Sequence, residues 1–159
     1  MQFRDFIVRN AIIGDLQSTT KNESLAEMVD ALIAADAIAK DLRQGVLTAL
    51  LDRERLGSTG IGQGIAIPHA KHPGIKKLIG LFARSREGVQ FDAIDGEAVH
   101  LFFLLLSNQE HTAQHLEALA YVSRHLRDEL FCKVLLRARD EREILEFLED
   151  ADQKVLEGG

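Results

Sequence analysis

The spacing of apolar positions changes three times along the chain, and each change marks a boundary between predicted elements. Leu25, Met28, Val29, Leu32 and Ile33 recur at helical intervals, and Leu42, Val46, Leu47, Leu50 and Leu51 repeat the pattern, so two amphipathic helices are expected early in the chain. Thr20 and Glu23 stand where a capping box would open the first of them. Ahead of that helix, Ala11-Ile12-Ile13-Gly14-Asp15-Leu16 reads as a short strand or extended lead-in. The helical period then gives way to Gly57-Ser58-Thr59-Gly60-Ile61-Gly62-Gln63-Gly64, a loop that delivers a short strand, Ile65-Ala66-Ile67, to Pro68-His69. The proline is expected to turn the chain out of the sheet and leave His69 at an exposed strand end. A second strand is predicted over Lys77 to Ala83, after a Pro73-Gly74 turn. A third covers Val99 to Leu106 and is apolar on both faces, which places it mid-sheet. Val89-Gln90-Phe91 and the Asp95-Gly96 turn predict a short hairpin element at the sheet's side. From His111 the period returns to 3.6, with His115, Leu116, Leu119, Val122 and Leu126 on related faces, and a last helix is expected around Glu141 to Leu148. Gly158-Gly159 is expected to fray.

Helices before, between and after a central sheet place the chain in the α/β class. The predicted architecture is a three-layer α/β/α sandwich with a central mixed β-sheet flanked by helices. No linker, repeat or low-complexity stretch divides residues 1–159, so a single domain is expected, with a core from about residue 11 to 150. Composition supports a packed core: 46% of residues are hydrophobic and 28% charged, which excludes collagen-like and disordered readings. The net charge of −6, with no long Lys/Arg block, offers no footprint for a phosphate backbone, so nucleic acid is not an expected partner. Direct membrane insertion is not expected either, because the longest apolar run, Leu101 to Leu106, is far too short to span a bilayer. Arg4, Asp5, Arg9 and Asp15 interrupt the N-terminal apolar residues before a signal sequence could form. The lone Cys132, among Leu130, Phe131, Val134 and Leu135, reads as a small buried hydrophobe in a reducing compartment. A cytoplasmic location is expected.

Of six histidines, His69 is the informative one. Glycines just upstream let backbone N–H groups approach an anion, and Ser58 and Thr59 add hydroxyl donors, so the segment fits phosphate beside an imidazole. A structural turn with a partly buried histidine fits the same residues. The loop is not a nucleotide P-loop, since no G-x-x-x-x-G-K-[ST] string occurs. It is not a dinucleotide fingerprint either, since Gly60, Gly62 and Gly64 precede the strand instead of following it. No cofactor is expected. His111 and His115 lie four apart and His69 and His72 three apart, which makes a metal site a rival reading. The absence of an H-E-x-x-H string and the remoteness of Cys132 count against it, and no metal is expected. His100 and His125 read as structural.

The string from Gly57 to Lys71 closely resembles the active-site signature of the enzyme IIA domains of the bacterial phosphotransferase system (PTS), fructose/mannitol type (type 2). The resemblance extends from Leu16 to about Leu148 and includes Phe91-Asp92-Ala93-Ile94-Asp95-Gly96 and the helix start His115-Leu116-Glu117-Ala118-Leu119. The Ser-Thr-Gly-Ile-Gly form on a free-standing domain looks most like the nitrogen-regulatory branch. The resemblance implies that His69 accepts a phosphoryl group from a phosphohistidine on an HPr-like carrier, on Nε2, without metal or nucleotide. It implies further that Arg53 contacts the phosphoryl oxygens, that Ser58 or Thr59 donates to them, and that His115 stands beside His69.

Each implied role has a physical reason. A nucleophilic imidazole must be neutral, which an unperturbed pKa near 6.5 already favours, and a nearby guanidinium lowers it further. That guanidinium also stabilises charge in a loose phosphoryl transition state, and a helix N-terminus under His115 would add to it. Without the resemblance, Arg53 reads as a helix-surface charge paired with Glu54 or Asp52. Ala70 occupies a position where the family often has glycine. An apolar docking patch is expected around His69, including Leu56, Ile61 and Ile67.

The implied activity is that of a phosphotransferase whose state regulates cytoplasmic proteins, in nitrogen or potassium metabolism for the nitrogen-regulatory branch. One alternative is a sugar-specific component that passes the group to a permease IIB subunit. Others are a metal-dependent hydrolase using His69, His72, His111 and His115, and a binding module that keeps the motif without transfer.

Overall fold

The computed structural model describes residues 1–158, and Gly159, where fraying was expected, lies outside them. The described α-helices are α1 (Lys21–Ala34), α2 (Arg43–Arg55), α3 (Thr112–Leu126), α4 (Glu129–Arg137) and α5 (Glu141–Gly158). The strands are β1 (Gly60–Gly62), β2 (Ile65–Ala66), β3 (His69–Lys71), β4 (Ile79–Val89) and β5 (Val99–Ser107). Strand β5 is the centre of the sheet. Along one edge it pairs in parallel with β2 (Ile65 opposite Leu101) and then with β3 (His69 opposite Leu105), and along the other it pairs antiparallel with β4. Strand β1 runs antiparallel to β2, and Ile7 and Ile13 form isolated parallel bridges to Gly80 and Ala83 on β4.

Successive side chains of β5 point to opposite faces, and both faces are apolar. Phe102, Leu104 and Leu106 pack with Leu25, Met28, Leu32, Val46 and Leu50 of α1 and α2. Leu101, Phe103 and Leu105 pack with Val122, Phe131, Leu135, Ile144 and Leu148 of α3, α4 and α5. Two cores on one strand make three layers. The α/β/α sandwich with a mixed sheet, expected from the alternation of periods, is the observed fold.

Several local expectations change. Val89 pairs with Val99, so the Asp95-Gly96 turn belongs to the connection of the β4–β5 hairpin and not to a separate element. Pro68 does not lead the chain out of the sheet: its carbonyl accepts from the Leu105 N–H at 2.9 Å, and β2 and β3 hold the same register on β5. The missing N–H interrupts the ladder without redirecting it, so His69 opens β3 and is half-buried. Only half of the capping box forms, with the Thr20 side chain accepting from the Glu23 N–H. Helix α4 went unpredicted. Asp128 caps it by accepting from the N–H groups of Leu130 and Phe131, and it carries Cys132, whose thiol is raised above its ordinary pKa by burial. Helix α5 runs well past Leu148, to Gly158. Among the described residues no helix is long and apolar enough to cross a membrane.

Arg84 of β4 is 1% exposed. Its Nε donates to the Gly14 carbonyl at 2.8 Å, and its Nη1 donates to the Leu135 carbonyl at 2.8 Å and to that of Ala138. The guanidinium thereby ties the N-terminal segment, the sheet and the last carbonyls of α4 together, and the negative end of the helix dipole offsets part of the cost of burying the cation. Arg84→Met is expected to leave the Gly14 and Leu135 carbonyls without a donor, the Ala138 carbonyl keeping only the longer bond from Arg86 at 3.4 Å, and to lower unfolding stability by about 3 kcal/mol. Urea denaturation would show it, and a loss below about 1 kcal/mol would mean that the freed carbonyls find other donors.

Candidate functional site

Helix α2, strand β3 and helix α3 enclose a cleft of about 540 Å³ lined by Ala49, Asp52, Arg53, Leu56, His69, Ala70, Lys71, His115, Leu116 and Leu119. A second cleft of about 650 Å³, between residues 4–8, 36–42 and 74–79, has no histidine, cysteine or hydroxyl side chain on its walls. The first is therefore the candidate site.

His69 Nδ1 lies 2.8 Å from the Ile67 carbonyl. A carbonyl can only accept, so Nδ1 carries the proton and Nε2 keeps its lone pair. Burial lowers the pKa of His69, the Arg53 cation lowers it further, and the Ile67 carbonyl and Glu54 act in the opposite sense. His115 is 3% exposed, and its Nδ1 is paired with the Ser107 hydroxyl at the end of β5. Burial, followed by the charges of His69 and Lys71, pushes its pKa down to about 4. The two rings meet edge to face, with centroids 5.6 Å apart and planes at 65°. His115 closes the first turn of α3, so it lies near the positive end of that helix.

Arg53 sits in the last turn of α2, and its Nη1 donates to the Gly57 carbonyl at 2.9 Å. The pairing with Asp52 or Glu54 that a plain helix-surface charge would make is absent. Asp52 pairs with Arg55 at 2.6 Å, and the buried Glu54 faces Lys21 of α1 at 3.1 Å. Among the described residues no carboxylate lies within ion-pair distance of Arg53, so most of its fork is unengaged.

Ser58 and Thr59 hold the loop rather than the cleft. Ser58 Oγ donates to the Phe91 carbonyl at 2.9 Å and accepts from the Gly60 N–H at 3.0 Å, while Thr59 Oγ1 donates to Glu54. The N–H groups of Thr59, Gly60 and Gln63 are also bonded internally, to Glu54, Ser58 and Asp95, so these amides form no open cradle for an anion. Gly60 is required by close approach, since a Cβ there would come within 2.9 Å of the Ala93 backbone. Glu54 was not anticipated. Its only signal in the sequence was a carboxylate beside Arg53 on a helix, which looks like a surface charge.

The other histidines stand apart from the cleft. His72 Nδ1 accepts from the Gly74 N–H at 2.9 Å, and its Nε2 faces Gly45 of α2. His111 is the N-cap residue of α3. His100 Nδ1 bonds to the Ser85 carbonyl, and His125 bonds to the Tyr121 carbonyl and packs against Phe3 and Phe131. Among the described residues no group of three or more His, Cys, Asp or Glu side chains is placed to hold a metal ion, so His69, His72, His111 and His115 are not gathered into one centre. The apolar rim also differs from expectation. Leu56 is 85% and Ile61 48% exposed, but Ile67 is buried in the core, and Leu116 on the cleft wall is 61% exposed.

A family model described as "Phosphoenolpyruvate-dependent sugar phosphotransferase system, EIIA 2" matches residues 5–151. The chain belongs to this enzyme IIA family. It is 40% identical over 148 residues to the nitrogen regulatory protein of Bradyrhizobium diazoefficiens, covering 93% of this chain and 95% of that one. It is 35% identical over 153 residues to the PTS system fructose-specific EIIABC component of Bacillus subtilis, covering 96% of this chain and 24% of that one. Its fold matches the crystal structure of nitrogen regulatory protein IIA-Ntr from Neisseria meningitidis with a TM-score of 0.81 and 33% identity, over 91% of this chain and 97% of that one.

A depressed His115 makes stability depend on acid. Above pH 6.5 the ring is neutral whether the IIA chain is folded or unfolded. As pH falls from 6.5 towards 4 the unfolded chain takes up a proton that the folded one refuses, so stability drops across that window, on the order of 3 kcal/mol in all. NMR titration of the ring protons is expected to show His115 still neutral at pH 5, and a midpoint near 6.5 would contradict it.

Proposed function

We propose that the chain is a phosphohistidine carrier of a PTS relay in the cytoplasm, acting as one IIA domain that accepts its phosphoryl group on Nε2 of His69. The observation that carries this is the Ile67 carbonyl held against His69 Nδ1, which leaves the Nε2 lone pair in a cleft with an unpaired Arg53. The donor is the phosphohistidine of an HPr-like protein. As the Nε2–P bond forms, the N–P bond of the donor breaks and its electron pair returns to the donor's imidazole, so neither a metal nor a nucleotide takes part. Arg53 holds the phosphoryl oxygens through the loose transition state. The Ser107 hydroxyl beside His115 Nδ1 can act as donor, and in that tautomer the proton of His115 sits on Nε2 as a neutral donor to the same oxygens. Ser58 and Thr59 contribute by fixing the loop that supplies Ile67, not by touching the phosphoryl group.

The phosphorylated state regulates cytoplasmic partners. A dianion placed beside the exposed leucines of the cleft, Leu56 and Leu116, repels and dehydrates poorly against any protein docked on the unmodified surface, so the two states bind different partners. The higher identity to a nitrogen regulatory protein favours this over onward transfer to a permease IIB domain. The likeness to the fructose-specific component over 96% of the chain keeps that second reading in view.

Incubation with phosphoenolpyruvate, the first enzyme of the system and an HPr-like carrier is expected to add one phosphoryl mass to the wild type and none to a folded His69→Ala variant. His115→Ala is expected to slow transfer by about 10- to 1000-fold. Equal uptake by wild type and His69→Ala would remove His69 from its role, and equal rates for wild type and His115→Ala would remove His115. Transfer onward to a IIB domain in the presence of sugar would establish the sugar-specific reading instead.

A further inference from the structure

Lys71 lines the cleft and has no part in the chemistry described so far. Strand β3 is three residues long, so His69 and Lys71 project from one face while Ala70 packs into the opposite core. Lys71 Nζ donates to Thr112 Oγ1 at 2.8 Å, and that hydroxyl in turn donates to the Gln109 carbonyl. Among the described residues no carboxylate lies within ion-pair distance of Lys71, because Asp52 is paired with Arg55 and Glu54 with Lys21. The cleft therefore holds two cations, Arg53 and Lys71, without counter-ions, and a phosphoryl group brings close to two negative charges.

We propose that Lys71 is the second phosphoryl-binding cation of the site: it rests on the Thr112 hydroxyl while His69 is bare and moves onto the phosphoryl oxygens when His69 is charged. The inference rests on His69 being the acceptor. A flexible four-carbon stem lets the ammonium exchange partners by side-chain rotation alone, whereas Arg53 is anchored to the end of its helix through Gly57. The exchange is favourable because a bond from ammonium to a phosphoryl anion is about twice as strong as one to a neutral hydroxyl. Its influence already reaches the site, where Lys71 is among the charges that hold His115 neutral. Thr112 opens α3 and Leu116 stands one turn further on, so departure of Lys71 also alters the rim that a partner meets.

The test uses the intact protein, with Lys71→Met and Lys71→Arg beside the wild type. Each is equilibrated with a fixed ratio of phosphorylated to free HPr-like carrier, and the phosphoryl group is then titrated by 31P NMR. Lys71→Met is expected to lower the equilibrium phosphorylated-to-free ratio by about 10- to 100-fold and to raise the pH midpoint of the phosphoryl group, and Lys71→Arg is expected to restore most of both. A wild-type equilibrium and midpoint in Lys71→Met would overturn the inference. Slower transfer alone would overturn it too, since lost attraction for the carrier changes rates and leaves the equilibrium untouched. If the wild type takes up no phosphoryl group, or His69→Ala takes up as much, the acceptor itself is wrong and Lys71 falls with it.

Discussion

A strand buried on both faces is tolerable only if the backbone groups along its two edges find partners, and meeting that demand on β5 places the functional residues. Strand β4 covers one edge for nearly its whole length. The other edge is covered in two pieces, β2 and β3, separated by Ile67 and Pro68 but held in one register. The Pro68 carbonyl faces β5 and satisfies Leu105, so the Ile67 carbonyl, one residue earlier, points the other way. Strand β1 is too short to use it. His69 Nδ1 does, and the hydrogen bond that fills a gap in the sheet edge also selects which ring nitrogen keeps a lone pair. Ser107, the last residue of β5, supplies the corresponding hydroxyl to His115.

Arg53 is kept free by its neighbour. Consecutive helical residues point about 100° apart, so Arg53 reaches the cleft while Glu54 turns beneath the glycine loop, where it accepts from the Thr59 N–H and hydroxyl. A buried carboxylate needs a cation, and without one it would compete for Arg53. Lys21 of α1 provides that cation and also lies 4.9 Å above the Phe91 ring. The two helices on this face thus do more than cover the sheet: α1 neutralises the charge that would otherwise silence the arginine of α2.

Features set by periodicity were legible in the chain. The doubly apolar run from Val99 to Leu106 could only be a central strand, and the helical spacings on either side required layers to cover it. His69, Arg53 and His115 were legible through a motif whose spacing is specific, and the cleft brings all three together. Partner identity was not legible. Nothing local distinguishes a hydroxyl aimed at a ligand from one aimed at Phe91 or Glu54, so the bonds that Ser58 and Thr59 make within the loop were not legible. Arg84 looks in sequence like a polar residue on a strand's open face, and only the convergence of Gly14, Leu135 and Ala138 explains its burial. Helix α4 carried its signals, Asp128 as cap and Phe131 and Leu135 on one face, but nine residues give too few turns for a period to stand out. The helical spacing of Leu116 and Leu119 did not say which side chains of α3 would meet the core. The small Ala118 and the ring of Tyr121 take the core face, which leaves Leu116 and Leu119 to line the cleft.

The unmodified cleft is electrostatically incomplete in a particular way. Burial keeps both imidazoles neutral, while two cations reach the same space and the nearby carboxylates are engaged elsewhere. Uncompensated positive charge at a half-buried, apolar-rimmed surface is costly, and an arriving phosphoryl group relieves that cost at the moment it bonds to His69. The same arrangement keeps the donor's side of the reaction accessible, because a phosphorylated carrier is attracted to the cleft and a dephosphorylated one has less to hold it there. Transfer and release therefore follow from one charge imbalance. The fold maintains it by pairing the two carboxylates that flank Arg53 on its own helix with other cations, Asp52 with Arg55 and Glu54 with Lys21.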